Sequence, residues 1–424
     1  MKPRRFVSTS LFRLRKVLRR MWVRTTAFAV LALVAAALSR IIAPLLPDAL
    51  VKVVHVDAVL DILTVLSSSM LAVTTFSLGV VMSARQAISS NITPRAHQFV
   101  AEDQTIQRVL ATFMGAFTYA LTAQVLLRTG FYAQASSAVI LIVTVLVLIL
   151  VIIAMLAWIE HLTQIGSIPD TVAELEAAMK GAIADWKSRP ALGACPAPAE
   201  APLPAGATTA VRAESSGYVQ YIDIGALDRL AEEAGGQVYV EAAVGAHVIA
   251  GSTLCHHTGR IDAADLRDAF TIDGGRTYEQ DVRFGIIVLS EIAQRALSPA
   301  VNDPGTAIFI IDRITALLGT GAVPVEPEAP TCPNVFMPAV TSADLVMDGY
   351  APIARDGAAM VEIQTRLQKA FAALADIGDA AMRDAALTVS TRAATLAEGA
   401  LALEEDRDRI RALAERVQRA ALKV

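Results

Sequence analysis

Four long, nearly uncharged stretches crowd the first 165 residues of this 424-residue chain: Thr25–Ala43, Ala58–Ser83, Val109–Leu127 and Ser137–Ile159. A bilayer core takes about 20 apolar helical residues, because each residue rises about 1.5 Å and every backbone polar group must be bonded within its own segment. Each stretch meets that requirement. The sequence therefore predicts four transmembrane helices. Beyond Glu160 the chain becomes charged and punctuated by glycine and proline, as a water-soluble region is. A composition that is 54% hydrophobic and only 18% charged fits this division into two solvents and does not fit a soluble protein of this length.

Basic residues set the orientation. Arg13, Arg15, Lys16, Arg19, Arg20 and Arg24 precede the first stretch, whereas only Arg40 and Lys52 follow it. Lysine and arginine are retained on the cytoplasmic side, so the N-terminus is expected inside. With four spans, the loop over 84–108 and everything after Ile159 are then cytoplasmic too. The first stretch is too long for the core of a signal peptide, and Ile41–Pro47 has no small-residue cleavage pattern. A net charge of -4 argues against a nucleic-acid partner. Cys195, Cys255 and Cys332 are odd in number and lack metal or redox spacing, which fits a reducing compartment.

The spans differ in character. The fourth is apolar on every face, as a lipid-exposed peripheral helix should be. The third places Gly115 and Ala116 among Thr112, Thr118 and Thr122, small and hydroxyl residues that allow close helix approach. The second carries Asp57, Asp61, Thr64, Ser67, Ser68, Ser69, Thr74, Thr75 and Ser77, a density of polar groups that avoids lipid. Two readings are open. In one, Asp61, Thr64, Ser67, Ser68, Thr74 and Thr75 line a polar pathway, with Asp61 as a cation site or proton carrier. In the other they form a packing seam whose hydroxyls bond back to their own backbone, with Asp61 at the outer interface, in reach of Arg40. The inner loop mixes Arg85, Arg95 and His97 with Ile88, Ile92 and Phe99, and Pro94 disfavours helix at Thr93, so an interfacial elbow is expected.

The soluble region opens with a helix near Asp170–Trp186 and a Pro/Ala-rich linker from Arg189. Short alternating runs such as Gln237–Glu241, broken by Gly217, Gly245 and Gly251, predict strands and tight turns around a short helix at Gly225–Ala234. The pattern at 244–254 is similar to the hairpin repeat of barrel-sandwich hybrid domains, without the lysine that carries biotin or lipoate; no cofactor is expected. Adjacent His256 and His257 beside Cys255 lack spaced partners, so no metal site is assigned. From Thr277 to Leu297 apolar residues recur every three or four positions behind a Thr-x-x-Gln capping box. Asn302-Asp303-Pro304 then opens a second helix, since Asp303 can accept from free backbone donors and Pro304 suits the first helical position. Alternatively, Arg283, Glu291, Arg295, Asn302 and Asp303 form a polar site at that junction. Past a Pro-rich loop at Val323–Asn334, Gly357–Leu374 and Ala385–Leu422 read as an amphipathic helical bundle.

The fold class is thus a mainly α membrane protein: a four-helix transmembrane bundle plus a cytoplasmic α+β region with a small barrel-sandwich-like β unit and C-terminal helices. Its expected parts are a basic N-terminus (1–24), the four-span domain (25–165), helix and linker (166–210), the β unit (211–260), a helical unit (261–320) and the C-terminal helices (321–424). Thr74-Thr-Phe-Ser-Leu, Thr112-Phe-Met-Gly-Ala-Phe-Thr-Tyr, Ser216-Gly-Tyr-Val and Phe284-Gly, together with Arg295-Ala-Leu-Ser-Pro-Ala-Val-Asn-Asp-Pro, resemble the bacterial membrane proteins grouped as domain of unknown function 2254. That resemblance implies a multi-pass protein of the bacterial inner membrane with a cytoplasmic C-terminal domain, and brings no activity, cofactor or catalytic residue.

Three function classes follow. A homo-oligomeric channel or transport-related protein would surround an axis with its second spans. A membrane-anchored sensor or scaffold would bind a ligand or partner through its cytoplasmic domain. An enzyme is ranked last, because the sequence has no phosphate loop, dinucleotide-binding glycine motif, His-Glu-x-x-His or nucleophile elbow. No catalytic residue is assigned.

Overall fold

The structure is a computed structural model that describes Thr26, Val30, Leu31, Val34, residues 55–91, Arg95, and residues 104–129, 137–162, 168–197, 209–321 and 329–422. The expected first span therefore lies outside the described residues apart from four helical positions. So do its flanking basic cluster, Arg40, and most of the inner elbow. Among the described residues three helices are long and apolar enough to cross a membrane: Val56–Ser83, Thr105–Arg128 and Ser137–Leu162. They correspond to the second, third and fourth stretches. The chain divides into two compact units, one holding these helices and the other the described residues from Thr171 onward together with Asn91 and Arg95.

In the membrane unit, α1 (Val56–Asn91), α2 (Gln104–Arg128) and α3 (Ser137–Leu162) share one apolar core. Val59, Leu63, Leu66 and Met70 supply the α1 stripe, Phe113, Tyr119 and Ala120 the α2 face, and Ile140, Val147 and Val151 the α3 face. Spacings of three, four and seven put the α1 and α3 sets each on one side of its helix. Inside that core the Tyr119 and Thr144 hydroxyls lie 3.1 Å apart, so one polar pair joins α2 to α3 in an environment with no water to replace it. The remaining faces of α3 expose Ile142, Leu146, Ile149, Ile153 and Leu156, a surface suited to lipid.

The second unit begins with α4 (Ile168–Ser188) and then alternates strands with short helices. Its strands are β1 (Ala194–Pro196), β2 (Thr209–Arg212), β3 (Gly217–Ile222), β4 (Val238–Val240), β5 (His247–Val248), β6 (Thr253–His257), β7 (Phe270–Asp273) and β8 (Cys332–Met337). They form a five-stranded sheet in the order β1-β8-β4-β6-β2 and a three-stranded sheet in the order β5-β3-β7. β8 runs parallel to both β1 and β4, while β4, β6 and β2 pair antiparallel. Helices α5 (Ile224–Glu233) and α6 (Ala263–Asp268) help close the core around Val219, Leu227, Val238, Leu254, Leu266 and Val335.

This arrangement corrects the expected boundaries. The β region is not confined to 211–260. Residues 194–196, expected as linker, are a strand that pairs with Cys332, Phe336 and Met337 of β8, whose first residues 332–334 were expected as loop, and β7 lies beyond residue 260. Parallel pairing across more than a hundred residues leaves no local signature, because the partner's hydrogen bonds decide it.

The helical part follows: α7 (Val282–Ala296), α8 (Pro304–Gly321), α9 (Ser342–Asp356), α10 (Val361–Ile377), α11 (Ala380–Ala400) and α12 (Glu404–Ala421). The helical pattern over Ala385–Leu422 holds two helices. α11 is followed by its cap Leu401, which is buried against Ala397 and Ile410, and the next helix starts at Glu404.

Candidate functional site

A helix advances 100° per residue, and this turns the polar residues of α1 toward two different sides. Ser67, Thr74 and Ser77 fall in the buried stripe with Leu63 and Met70. Ser67 there accepts a 3.2 Å hydrogen bond from Gln124 Nε2 of α2. Asp57, Asp61, Thr64, Ser68 and Thr75 occupy the opposite, exposed side. The six-residue pathway Asp61, Thr64, Ser67, Ser68, Thr74 and Thr75 is therefore not one surface: Ser67 and Thr74 belong to the packing seam.

The hydroxyls on both sides bond back to their own helix. Thr64 donates to the Leu60 carbonyl at 2.8 Å, Ser68 to Thr64 at 2.9 Å, Thr74 to Met70 at 2.6 Å and Thr75 to Leu71 at 2.9 Å. A hydroxyl has one proton and two lone pairs. Once its proton is given to the backbone, it offers the outside only acceptor oxygen. The named polar groups of the exposed stripe, with two carboxylates at one end, are correspondingly acceptors.

Of the five residues of the expected cytoplasmic site, Arg283 stands at the opposite end of α7 from Arg295, Asn302 and Asp303. Arg283 stands in the first turn of α7 and Arg295 in its last, about 18 Å apart along the axis at 1.5 Å per residue. Arg283 binds Asp348 of α9 through two bonds of 2.7 and 3.0 Å, with Asp344 3.5 Å away. These partners hold its pKa above the ordinary arginine value, the Asp348 hydrogen bond contributing most. Glu291 accepts from Arg95. Asn302 adopts a left-handed φ of 50°, a conformation that asparagine tolerates better than most residues, and its N–H donates to Ser298 O at 2.9 Å.

Asp303 does what its sequence position implies. Its carboxylate accepts from the Thr306 N–H at 3.0 Å and the Thr306 hydroxyl at 2.6 Å, capping α8, and these two bonds lower its pKa. Its own N–H donates to the Ala296 carbonyl at 2.8 Å, closing the end of α7. The Ser-Pro-Ala-Val-Asn-Asp-Pro segment is thus a joint that terminates one helix and starts the next.

Sequence reasoning missed a more concentrated polar cluster just before α7. The helix does not open at Thr277. Asp281 is its cap, accepting from Phe284 N at 3.0 Å, and Gln280 instead bonds both backbone groups of Ile222 at 2.9 and 3.1 Å, acting as an extra rung on β3. Asp281 is also held by Arg276 through bonds of 2.8 and 2.9 Å. Burial pushes the Asp281 carboxyl up, and Arg276 only partly opposes it. Arg276 lies 5.0 Å over the Phe284 ring, which stacks on Tyr278. Gly245, at a φ of 84°, faces this pair: a Cβ there would collide with Asp281 and lie 2.7 Å from Arg276 Nη2. At Gly285 a Cβ would strike Met179 of α4, so the Phe-Gly pair permits that close helix crossing. The sequence signal available was Asp281 itself, one residue before the apolar periodicity begins.

Among the described residues no three His, Cys, Asp or Glu side chains converge as metal ligands. His256 bonds Glu241 at 3.2 Å, and burial pushes the Cys255 thiol up to about 12.

Comparison with known proteins agrees with the membrane architecture. The profile of the family described as "Predicted membrane protein (DUF2254)" matches residues 19–373. The chain belongs to that family. It is also similar to a Mycobacterium bovis protein described as uncharacterized, 30% identical over 188 residues, which covers 41% of this chain and 36% of that protein. A Mycobacterium tuberculosis protein, likewise described as uncharacterized, gives 31% identity over 191 residues, again 41% and 36%. The similarity spans about a third of the length of these relatives. No solved structure matches.

Proposed function

We propose that this member of the domain of unknown function 2254 family is a homo-oligomeric, channel-like or transport-related membrane protein whose α1 helices line a cation path. Both termini are then cytoplasmic, in the bacterial inner membrane, and the region after residue 166 forms a vestibule or regulatory domain. The reading assigns no catalytic step and no cofactor to the chain.

One observation carries it: the exposed side of α1 presents acceptor oxygens from Asp57, Asp61, Thr64, Ser68 and Thr75, opposite the side packed into the core. Carboxylates are costly against lipid, and oxygen acceptors without donors match cations and their hydration shells. One helix supplies only one wall. Several copies around a closed axis complete the lining, as in other cyclic assemblies.

The test begins with the mass of the full-length protein in lipid nanodiscs, by light scattering corrected for bound lipid. A closed assembly of several copies is expected. Cation flux in proteoliposomes should then fall with Asp61→Asn and Ser68→Val. A strict monomer or dimer would overturn the reading and favour a membrane-anchored sensor or scaffold acting through its cytoplasmic domain.

A further inference from the structure

A cleft of about 260 Å³ lies between α2 and α3, near the membrane face at which α2 begins and α3 ends. From α2 it is lined by Thr105, Arg108 and Thr112, and from α3 by Ile153, Ala154 and Ala157. Residues three, four and seven apart share one side of a helix, so these two rows face each other across an antiparallel groove. Its far end is aliphatic. Its near end carries Arg108, the lone charged group of the lining.

The sequence of α3 shows how the groove arises. From Val139 to Ile159 this helix is built almost wholly of valine, leucine and isoleucine, and its only two alanines are Ala154 and Ala157. Both border the cleft. A leucine at either place would fill it, as leucine and isoleucine do along the rest of the helix. The void therefore follows from side-chain choice on an otherwise uniform lipid-facing surface.

We propose that this cleft is a binding site for an anionic glycerophospholipid. One acyl chain lies along Ile153, Ala154 and Ala157, and the phosphate meets the Arg108 guanidinium, whose planar fork suits phosphate oxygens. Basic pockets between spanning helices bind anionic headgroups on the cytoplasmic side of membranes. Arg108 would lie on that side in the orientation proposed above, although the binding itself depends only on the α2–α3 pair. Charge at the headgroup level and an apolar wall below match the two ends of one lipid.

The test is native mass spectrometry of the full-length detergent-purified protein, titrated with phosphatidylglycerol and with phosphatidylcholine of the same acyl chains. The wild type should retain phosphatidylglycerol preferentially. Arg108→Gln should weaken phosphatidylglycerol by about fivefold, the effect of one basic residue at an anionic surface, and leave phosphatidylcholine unchanged. Ala154→Leu, which keeps the charge but fills the groove, should weaken both lipids. Ile142→Leu, on the exposed side of α3 away from the cleft, should change neither. An undiminished preference in Arg108→Gln would overturn the proposal, as would wild-type binding by Ala154→Leu. Equal retention by every form would give the cleft to another apolar segment of the protein and would also overturn it.

Discussion

Arg283 and Asp348 face each other in a fork, Nε to Oδ2 at 2.7 Å and Nη2 to Oδ1 at 3.0 Å, and so tie the first turn of α7 to the middle of α9. The arginine side chain is 41% exposed and the aspartate 17%, so solvent partly screens the pair. Exposed pairs contribute about 0.2–1 kcal/mol, and two parallel bonds place this one near the top of that range. A double-mutant cycle of Arg283→Gln and Asp348→Asn, read by thermal unfolding of the full chain, should give that coupling. Arg283→Lys should keep less than half of it, because an ammonium lacks the planar fork. Zero coupling would show that the bridge contributes no stability.

Gly245→Ala should be destabilising out of proportion to one methyl group. The residue sits at a φ of 84°, where an L side chain costs about 1–2 kcal/mol, and its new Cβ would press on the Arg276–Asp281 pair. Arg276→Ala should not rescue the variant, since Asp281 remains in the way. Full recovery by that second substitution would contradict the assigned contact.

Asp303 links stability to acid. Hydrogen bonds from Thr306 lower its pKa, so the folded chain releases this proton more readily than the unfolded chain does. The stabilisation is complete above the ordinary carboxylate value of about 3.9 and fades as pH falls through the lowered folded value. Asp303→Ala should cost about 1 kcal/mol at neutral pH, a typical value for losing a helix cap. Its deficit against wild type should shrink in unfolding curves taken below that carboxylate value. A deficit that stays constant with pH would mean that the carboxylate charge plays no part.

Some of these relationships were legible in the sequence and some were not. The spans over α1, α2 and α3 follow from apolar length alone, since the bilayer leaves the backbone few alternatives. The Asp303-Pro304 helix start is a local rule, and it is satisfied locally. Thr277 obeyed the same rule on paper and still does not cap α7, because Gln280 is drawn away to the Ile222 backbone and Asp281 is fixed by Arg276. β1 and β8 were hidden for a related reason: each is short, and each is made a strand by the other. The side of α1 that packs was also hidden. Val65, Leu71 and Phe76 on its outer side are as apolar as the core stripe, so hydrophobic periodicity is nearly silent where lipid replaces water.

Gln368 and Ser390 close a buried ring between α10 and α11. The serine hydroxyl donates to Gln368 Oε1 at 2.6 Å, and Gln368 Nε2 donates to the Ser390 carbonyl at 3.1 Å. Ser390→Ala removes one bond and leaves a buried amide oxygen without its donor, at a cost of about 1–3 kcal/mol. Gln368→Leu combined with Ser390→Ala should be milder than the sum of the two single changes. Strict additivity in unfolding measurements would mean that the two side chains act independently.

The two sides of α1 give the sharpest separation between packing and transport. Ser67 is 8% exposed and accepts from Gln124, so Ser67→Val crowds the seam and takes away a partner within the core. Its expected effect is a stability loss of about 1–3 kcal/mol. Ser68, one residue later, faces outward and spends its proton on the Thr64 carbonyl, so Ser68→Val should change unfolding by less than about 0.5 kcal/mol. If the outer side lines a cation path, the functional order is the reverse: Ser68→Val lowers flux per folded protein, and Ser67→Val leaves it near wild type once the folded fraction is matched. Both readouts on the same two proteins distinguish the alternatives. A flux loss that merely tracks folded protein would reduce the acceptor stripe to helix surface, whereas the crossed pattern ties conduction to the outward oxygens.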